Sequence, residues 1–203
     1  LDVFPINQYI KINKIWKEVF ITTSNNRLHY CYNNIEDKIL FEEHKRNFPD
    51  EVDFFEVNTM VKKVITDISF FLKRNSGICL LIDYGYSDGY GNTLQAIKNH
   101  KYVNPLSFPG VSDLTSHINF SHIANETKNL GMNFFGPTTQ RNFLIKLGAL
   151  ERLKILKKST NSEKIKNDLE KGLNRVIKNS QMGKLFKVCA ISPKTKLIPE
   201  GFD

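Results

Sequence analysis

"LLIDYGYSDGYGNTL", residues 80–94, runs from an apolar stretch into a glycine-rich loop, and its reading decides the fold. A phosphate cradle needs backbone N–H groups converging on the anion, with a helix N-terminus directly behind them. Here Gly85, Gly89 and Gly91 are spaced G-x-x-x-G-x-G, with neither a following Lys-Ser/Thr nor a G-x-G-x-x-G pattern. Asp88 lies inside the loop, where a carboxylate repels a phosphate. The loop is therefore not a nucleotide cradle. Two readings stay open: a surface turn, or a loop closing over a cationic or hydrogen-bonding substrate. In the second, Asp83 and Asp88 are acceptors and the tyrosines are walls.

Upstream, Val57, Met60, Val61, Val64, Ile68, Phe71 and Leu72 recur at helical steps, and Gly77 stops the pattern. "ICLLI" (78–82) follows as a continuous apolar run of strand length. A helix, a glycine and a strand buried on both faces predict one αβ unit of a parallel sheet. In such sheets ligands bind beyond the carboxyl ends of the strands. That edge receives Asp83, Tyr84 and Gly85. Beyond Tyr84 periodicity vanishes until Asn119 caps a short helix, so residues 84–118 read as a long active-site loop. Within it, "SDLTSHINF" offers His117 as a general base, with Asp113 as its partner or as a substrate anchor. A turn bonding its own backbone is the plainer alternative. His117 and His122 are poorly spaced for sharing a metal on one helix face, and no metal is expected.

Elsewhere, residues 9–32 alternate around Asn25-Asn26 and predict a β-hairpin or two strands with an exposed face, and residues 34–55 read as irregular. "MNFF" reads as a short strand, after which Thr138 or Thr139 caps a helix ending at Gly148. Thr160 and Glu163 have capping-box spacing, and "KLFKVCAI" is a final strand.

The composition is ordinary for a folded domain: 203 residues, 40% hydrophobic and 25% charged. The net charge of +8 comes from 23 lysines and 6 arginines scattered along the helical segments. Arginine forks onto phosphates, and a dispersed lysine excess marks a solvated surface, so the balance argues against nucleic acid. A lysine-rich RNA-associated domain is the weakest of the readings. Cys31, Cys79 and Cys189 are far apart in apolar runs, which predicts buried thiols in a reducing compartment. No apolar run is long enough to span a bilayer. The opening "LDVFP" reads like a chain entered partway through a domain, with no signal peptide.

"LLIDYGY", "GNTLQAIKNHKYVNPLSFPGVSDLTSHINF", "GPTTQRNFLIKLG", "QMGKLFKVCAI" and "PEGF" appear in order along most of the chain. Together they resemble the bacterial MidA and mitochondrial complex I assembly methyltransferase family. The opening "LDVFPINQY" is similar to that family's D-A-L-P-I segment. The resemblance implies an α/β class I methyltransferase with a Rossmann-like sheet. Residues 1–203 would be a single C-terminal, substrate-side portion, with the first cofactor-binding strands missing. The cofactor implied is S-adenosylmethionine, with its main binding loop outside this chain. The activity implied is methylation of a protein arginine linked to respiratory complex I assembly, or a bacterial counterpart. The setting would be the mitochondrial matrix or bacterial cytoplasm.

By the same resemblance Asp2 and Asp83 are the catalytic carboxylates, Asp2 also lying next to the methyl donor. Tyr84, Gly85, Tyr86, Asp113, His117, Thr139 and Gln140 are substrate-side groups. The chemistry implied is an in-line transfer from a sulfonium to a guanidinium nitrogen, for which the protein positions the nitrogen and removes its proton. Two acids of the family pattern are amides here: G-D-T-L is Gly91-Asn92-Thr93-Leu94, and D-P-L is Asn104-Pro105-Leu106. An amide keeps a hydrogen bond and loses the charge. Expected partners are a protein substrate and either the missing N-terminal half or a second copy, because "ICLLI" would otherwise lack a neighbouring strand. The contrasting reading is a non-catalytic protein-binding module that has lost the cofactor site.

Overall fold

Paired residues with positive φ mark the tight turns of the N-terminal region in a computed structural model, which describes residues 1–87 and 90–203. Asn13 (φ 49°) and Lys14 (φ 66°) join β1 (Ile6–Ile12) to β2 (Ile15–Ser24). Asn25 (φ 50°) and Asn26 (φ 57°) join β2 to β3 (Arg27–Asn33). Two consecutive left-handed residues make a type I′ hairpin, which asparagine tolerates well. The Asn25-Asn26 turn was legible; the Asn13-Lys14 turn was not, because lysine carries no turn signal. Residues 9–32 are thus parts of three strands. Asp37 then caps α1 (Lys38–Lys45), accepting from Leu40 N at 2.9 Å. β4 (Phe54–Asn58), α2 (Val61–Asn75) and β5 (Cys79–Tyr86) follow.

Residues 84–118 are not a structureless loop. They contain β6 (Gln95–Lys98), β7 (Lys101–Val103) and β8 (Asp113–Thr115), and Asn99 and His100 (φ 51° and 60°) form another tight turn between β6 and β7. Each strand is too short to impose a visible period-two pattern. The chain continues through β9 (Ile118–Asn119), α3 (Phe120–Asn129), β10 (Asn133–Thr139) and α4 (Gln140–Lys146). It ends with α5 (Ala149–Lys158), α6 (Glu163–Ile177), α7 (Met182–Leu185) and β11 (Phe186–Ser192). Ser162, not Thr160, caps α6, its hydroxyl accepting from Ile165 N.

The chain divides into two compact units, Leu1–Val61 with Gly89–Ile118, and Lys62–Asp88 with Asn119–Asp203. The first holds an antiparallel sheet of order β3-β2-β1-β4 and the small sheet β7-β6-β8. One face of the larger sheet buries Tyr9 and Phe55 completely, with Phe41 of α1, Val52 and Val57 around them. The rings of Tyr9 and Phe55 are 5.1 Å apart, and Phe48 sits 4.8 Å from Phe55. Burial, reinforced by Glu18, pushes the Tyr9 phenol up to about 12. On the other face Gln8 and Glu56 stand opposite each other on neighbouring strands.

The second unit has a sheet of order β10-β11-β5-β9. β11 is antiparallel to both β10 and β5, and Val188, Cys189, Ala190 and Ile191 are fully buried in it. The expected parallel pairing of "ICLLI" is therefore wrong for its direct neighbour. The final strand inserts beside it in the opposite sense, and β5 and β10 run alike on its two sides. Nor is this run buried on both faces, since Ile78, Leu80 and Ile82 are 49, 46 and 47% exposed. An apolar run reports composition and cannot say which face is covered. On α2 the inward positions are Ile65, Ser69 and Leu72, whereas the expected Phe71 is exposed and Val57 belongs to β4. All three cysteines are free; Cys189 is buried and its thiol is pushed up to about 12 by desolvation. Cys31 and Cys79 are only half-buried. Among the described residues no helix is long and apolar enough to cross a membrane.

Candidate functional site

In the first unit the glycine loop ends on a carboxylate that sequence reasoning missed. Glu56 Oε1 accepts from Gln8 Nε2 (2.7 Å), Thr93 N (3.0 Å) and Leu94 N (3.3 Å), while Oε2 accepts from the Thr93 hydroxyl. Gln8 Nε2 also reaches Asn92 Oδ1 at 3.3 Å. Thr93 is buried, and its Oγ1 accepts from His117 N at 2.9 Å, carrying the network to the segment that holds His117. Glu56 thus clamps "GNTL" by its backbone, and the clamp locates "SDLTSH" in turn. The missed signal was a glutamate inside "FFEVN", a period-two strand whose polar face is not left to solvent.

His117 Nε2 lies 3.1 Å from Gln95 Nε2. With the amide so turned, its NH2 donates to Nε2. In this arrangement the basic lone pair is already engaged. Asp113 is not the partner of His117. It sits on β8 opposite Ile97 with an exposed side chain, and among the described residues its carboxylate makes no hydrogen bond or ion pair. Asp2 is half-buried, and its backbone carbonyl accepts from Ser116 N at 2.8 Å, which ties the N-terminal segment to the residue before His117.

The second unit holds the other predicted residues. Asp83 is half-buried opposite Lys187, and its carboxylate accepts from Tyr84 N at 2.8 Å. The Tyr84 ring meets Phe186 edge-on at 5.5 Å. Gly85 is buried, and its carbonyl accepts from Lys187 Nζ at 3.1 Å. The same ammonium also donates to the carbonyls of Lys184 (2.6 Å) and Leu185 (3.3 Å), stitching the end of β5 to α7. Desolvation, with Lys184 second, holds the Lys187 pKa below the usual lysine value. Tyr86 ends the strand half-buried. Asp88, expected to be an acceptor, lies outside the described residues.

Thr139 and Gln140 have structural occupations. Thr139 caps α4, accepting from Asn142 N at 3.2 Å, and the buried Gln140 donates to Val176 O at 2.9 Å. On α3, His122 pairs with the nearly buried Glu126 at 3.8 Å. Among the described residues no group of three or more His, Cys, Asp or Glu side chains could hold a metal ion. The structure therefore groups Asp2 and His117 through Ser116 in one unit, and Asp83, Tyr84 and Gly85 around Lys187 in the other. Thr139 also stands opposite Lys187, across β11 from Asp83, but its hydroxyl caps α4 and the Gln140 amide is bound to α6, while Asp113 makes none of the contacts that join Asp2 to His117.

The fold is mixed α/β and matches a cofactor-binding methyltransferase-like structure over part of that structure's length. A superfamily protein from Burkholderia thailandensis bound to S-adenosyl-homocysteine superposes with a TM-score of 0.81 at 22% identity, covering 100% of this chain and 52% of that one. A native structure of a superfamily protein from the same organism gives 0.82, also at 22% identity, covering 54% of that chain. A family described as "Putative S-adenosyl-L-methionine-dependent methyltransferase" matches residues 1–138, and the chain belongs to that family. Among curated relatives, "Protein arginine methyltransferase NDUFAF7 homolog, mitochondrial" of Caenorhabditis elegans is 32% identical across 96% of this chain and 46% of its own length. The Homo sapiens "Protein arginine methyltransferase NDUFAF7, mitochondrial" is 26% identical across 97% of this chain and 44% of its own. The chain thus spans about half the length of the curated relatives it matches.

Proposed function

We propose that this chain is the substrate-side portion of an S-adenosylmethionine-dependent methyltransferase acting on arginine in a protein. The observation that carries this reading is the 32% identity to a protein arginine methyltransferase across 96% of the chain. The wider role proposed is assembly of respiratory complex I, or its bacterial counterpart, in the mitochondrial matrix or bacterial cytoplasm. The partners proposed are a protein substrate and the polypeptide that completes the cofactor site, or a second copy of the chain.

The described residues fit an edge of a cofactor site. Asp2 offers a half-buried carboxylate, but the clefts at 26–30 with 104–109, at 171–182 and at 76–78 with 192–199 are lined by none of the predicted site residues. When bound, the cofactor's sulfonium supplies an activated methyl group. This chain's task is to present a guanidinium nitrogen and take its proton. Asp2 and Asp83 are the proposed carboxylates for that work, because an ionised acid both holds a guanidinium and accepts its proton. Tyr84 and Tyr86 are proposed to stack on the guanidinium plane. Gly85, Asp113, His117, Thr139 and Gln140 complete the substrate side, Asp113 being an exposed acceptor and His117 acting only if Gln95 moves off Nε2.

Calorimetric titration of S-adenosylmethionine into the 203-residue chain, repeated with a version extended upstream, tests the reading. Binding by the extended version alone is the expected result. Binding by the short chain would place a complete cofactor site within these residues. Silence from both would favour a non-catalytic protein-binding module.

A further inference from the structure

A cleft of about 700 Å³ opens in the first unit beside the edge strand β3. Its walls are residues 26–30 on one side and 104–109 on the other, and Tyr30 shares its sheet face with Gln8 and Glu56. No lining residue is acidic, and two, Arg27 and His29, carry or can carry positive charge. Both side chains are exposed, and among the described residues neither makes a hydrogen bond or ion pair. Lys98 adds a third cation, its Nζ standing 3.7 Å above the ring of Phe108 at the cleft wall. Glu56 raises the Tyr30 pKa, but only after burial and Tyr32, and its carboxylate already accepts four hydrogen bonds.

The opposite wall is held in a costly conformation. Phe108 has φ 58° directly before Pro109, a position where both the left-handed region and a bulky residue are disfavoured. Its carbonyl accepts from Val111 N and from the Ser112 hydroxyl, both at 3.1 Å, and Ser107 N donates to Asn104 O at 2.8 Å. These bonds fix the loop and leave Phe108 49% exposed, while Tyr30, which also lines the cleft, is 38% exposed.

We infer that this cleft binds an extended acidic peptide segment of a protein partner. The unpaired guanidinium of Arg27 takes a carboxylate in a forked, charge-assisted pair. The exposed edge of β3 offers backbone groups for an added strand. Arg27 and His29 alternate with Leu28 and Tyr30 on opposite faces of β3, so an added strand sets its acids toward Arg27 and His29 and its alternate apolar side chains toward Tyr30 and Phe108. Asn104 matters for the sign of the field. It stands where the resembling family pattern has an aspartate, so this chain's cleft lacks a carboxylate that would repel the ligand. The inference deepens the proposed function by naming the partner's chemistry, and rests on it only there.

Fluorescence anisotropy with a fluorescein-labelled Glu-Val-Glu-Val-Glu-Val peptide tests the site without any cofactor, so failure of methyl transfer and failure of this site are separate results. The acidic peptide should bind saturably and its lysine counterpart should not. Arg27→Glu should weaken binding about tenfold or more. Asn104→Asp keeps the acceptor that bonds Leu106 N at 2.8 Å, so the loop survives, yet it should weaken binding about threefold through its added charge. Lys164→Glu on α6 changes the net charge as much as Arg27→Glu does, and should leave binding within about twofold. No saturable binding, or equal losses from Lys164→Glu and Arg27→Glu, would overturn the inference in favour of general attraction to a cationic protein.

Discussion

Glu56 is the residue on which residues 92–94 of the glycine loop depend. Four donors converge on it, two of them backbone N–H groups of Thr93 and Leu94. Glu56→Ala leaves those donors without an acceptor and should cost about 3 kcal/mol of unfolding free energy. Glu56→Gln keeps one oxygen for the Oε1 donors but replaces the Oε2 acceptor with an NH2, so the Thr93 hydroxyl must turn to accept from it, and about 1 kcal/mol is expected. Urea denaturation of both variants measures the difference; equal and small losses would mean that water replaces the carboxylate. Residue identities were legible in the sequence wherever a local signal existed. Thr139 at a helix start and Asn119 before Phe120 both cap as their residue types require. Asp83, read as a strand-end carboxylate, lies inside β5, which runs on to Tyr86. Glu56, Gln8 and Gln95 were not, because their partners lie on other elements and no spacing rule reports a side chain's distant neighbour.

At the scale of elements, the close approach of α7 to the end of α6 turns on one glycine in the "QMGKLFKV" stretch. A Cβ on Gly183 would lie 2.2 Å from the carbonyl oxygen of Ile177 and 2.9 Å from that of Lys178. Both obstacles are backbone, so neither can rotate away. Gly183→Ala should therefore destabilise the second unit by about 2–4 kcal/mol, in the range of strained or overpacked core substitutions. The thermal midpoint reads this directly, and Gly172→Ala is the control, since a Cβ there meets nothing within 4 Å. Such a control inside α6 should be neutral or slightly stabilising. Long periodic elements, α2 and α6, and the final strand were visible in the sequence. The meander β6–β8 and the β1–β2 turn were hidden because strands of three or four residues, and a turn carrying lysine, leave too few positions to show a period.

For the molecule as a whole, the family was legible because its motifs survive in order, while the sheet's direction was not, because an apolar run looks the same whichever way its neighbour points. The consequence of scale is the face of β5. Leu80 and Ile82 point to the same side of β5, and with Ile78 just before the strand they are each about half exposed. Such a row on a strand is a surface for association. In the 203-residue chain, Leu80→Lys with Ile82→Lys should leave the thermal midpoint nearly unchanged, since neither side chain is buried. It should also reduce concentration-dependent association in sedimentation velocity. In a version extended upstream toward the length of the curated relatives, the same pair should behave differently. If the added residues cover this face, two lysines must be buried there, and unfolding should become easier by about 3 kcal/mol or more. Equal stability of the extended protein with and without the lysines would show that the face stays in water there too.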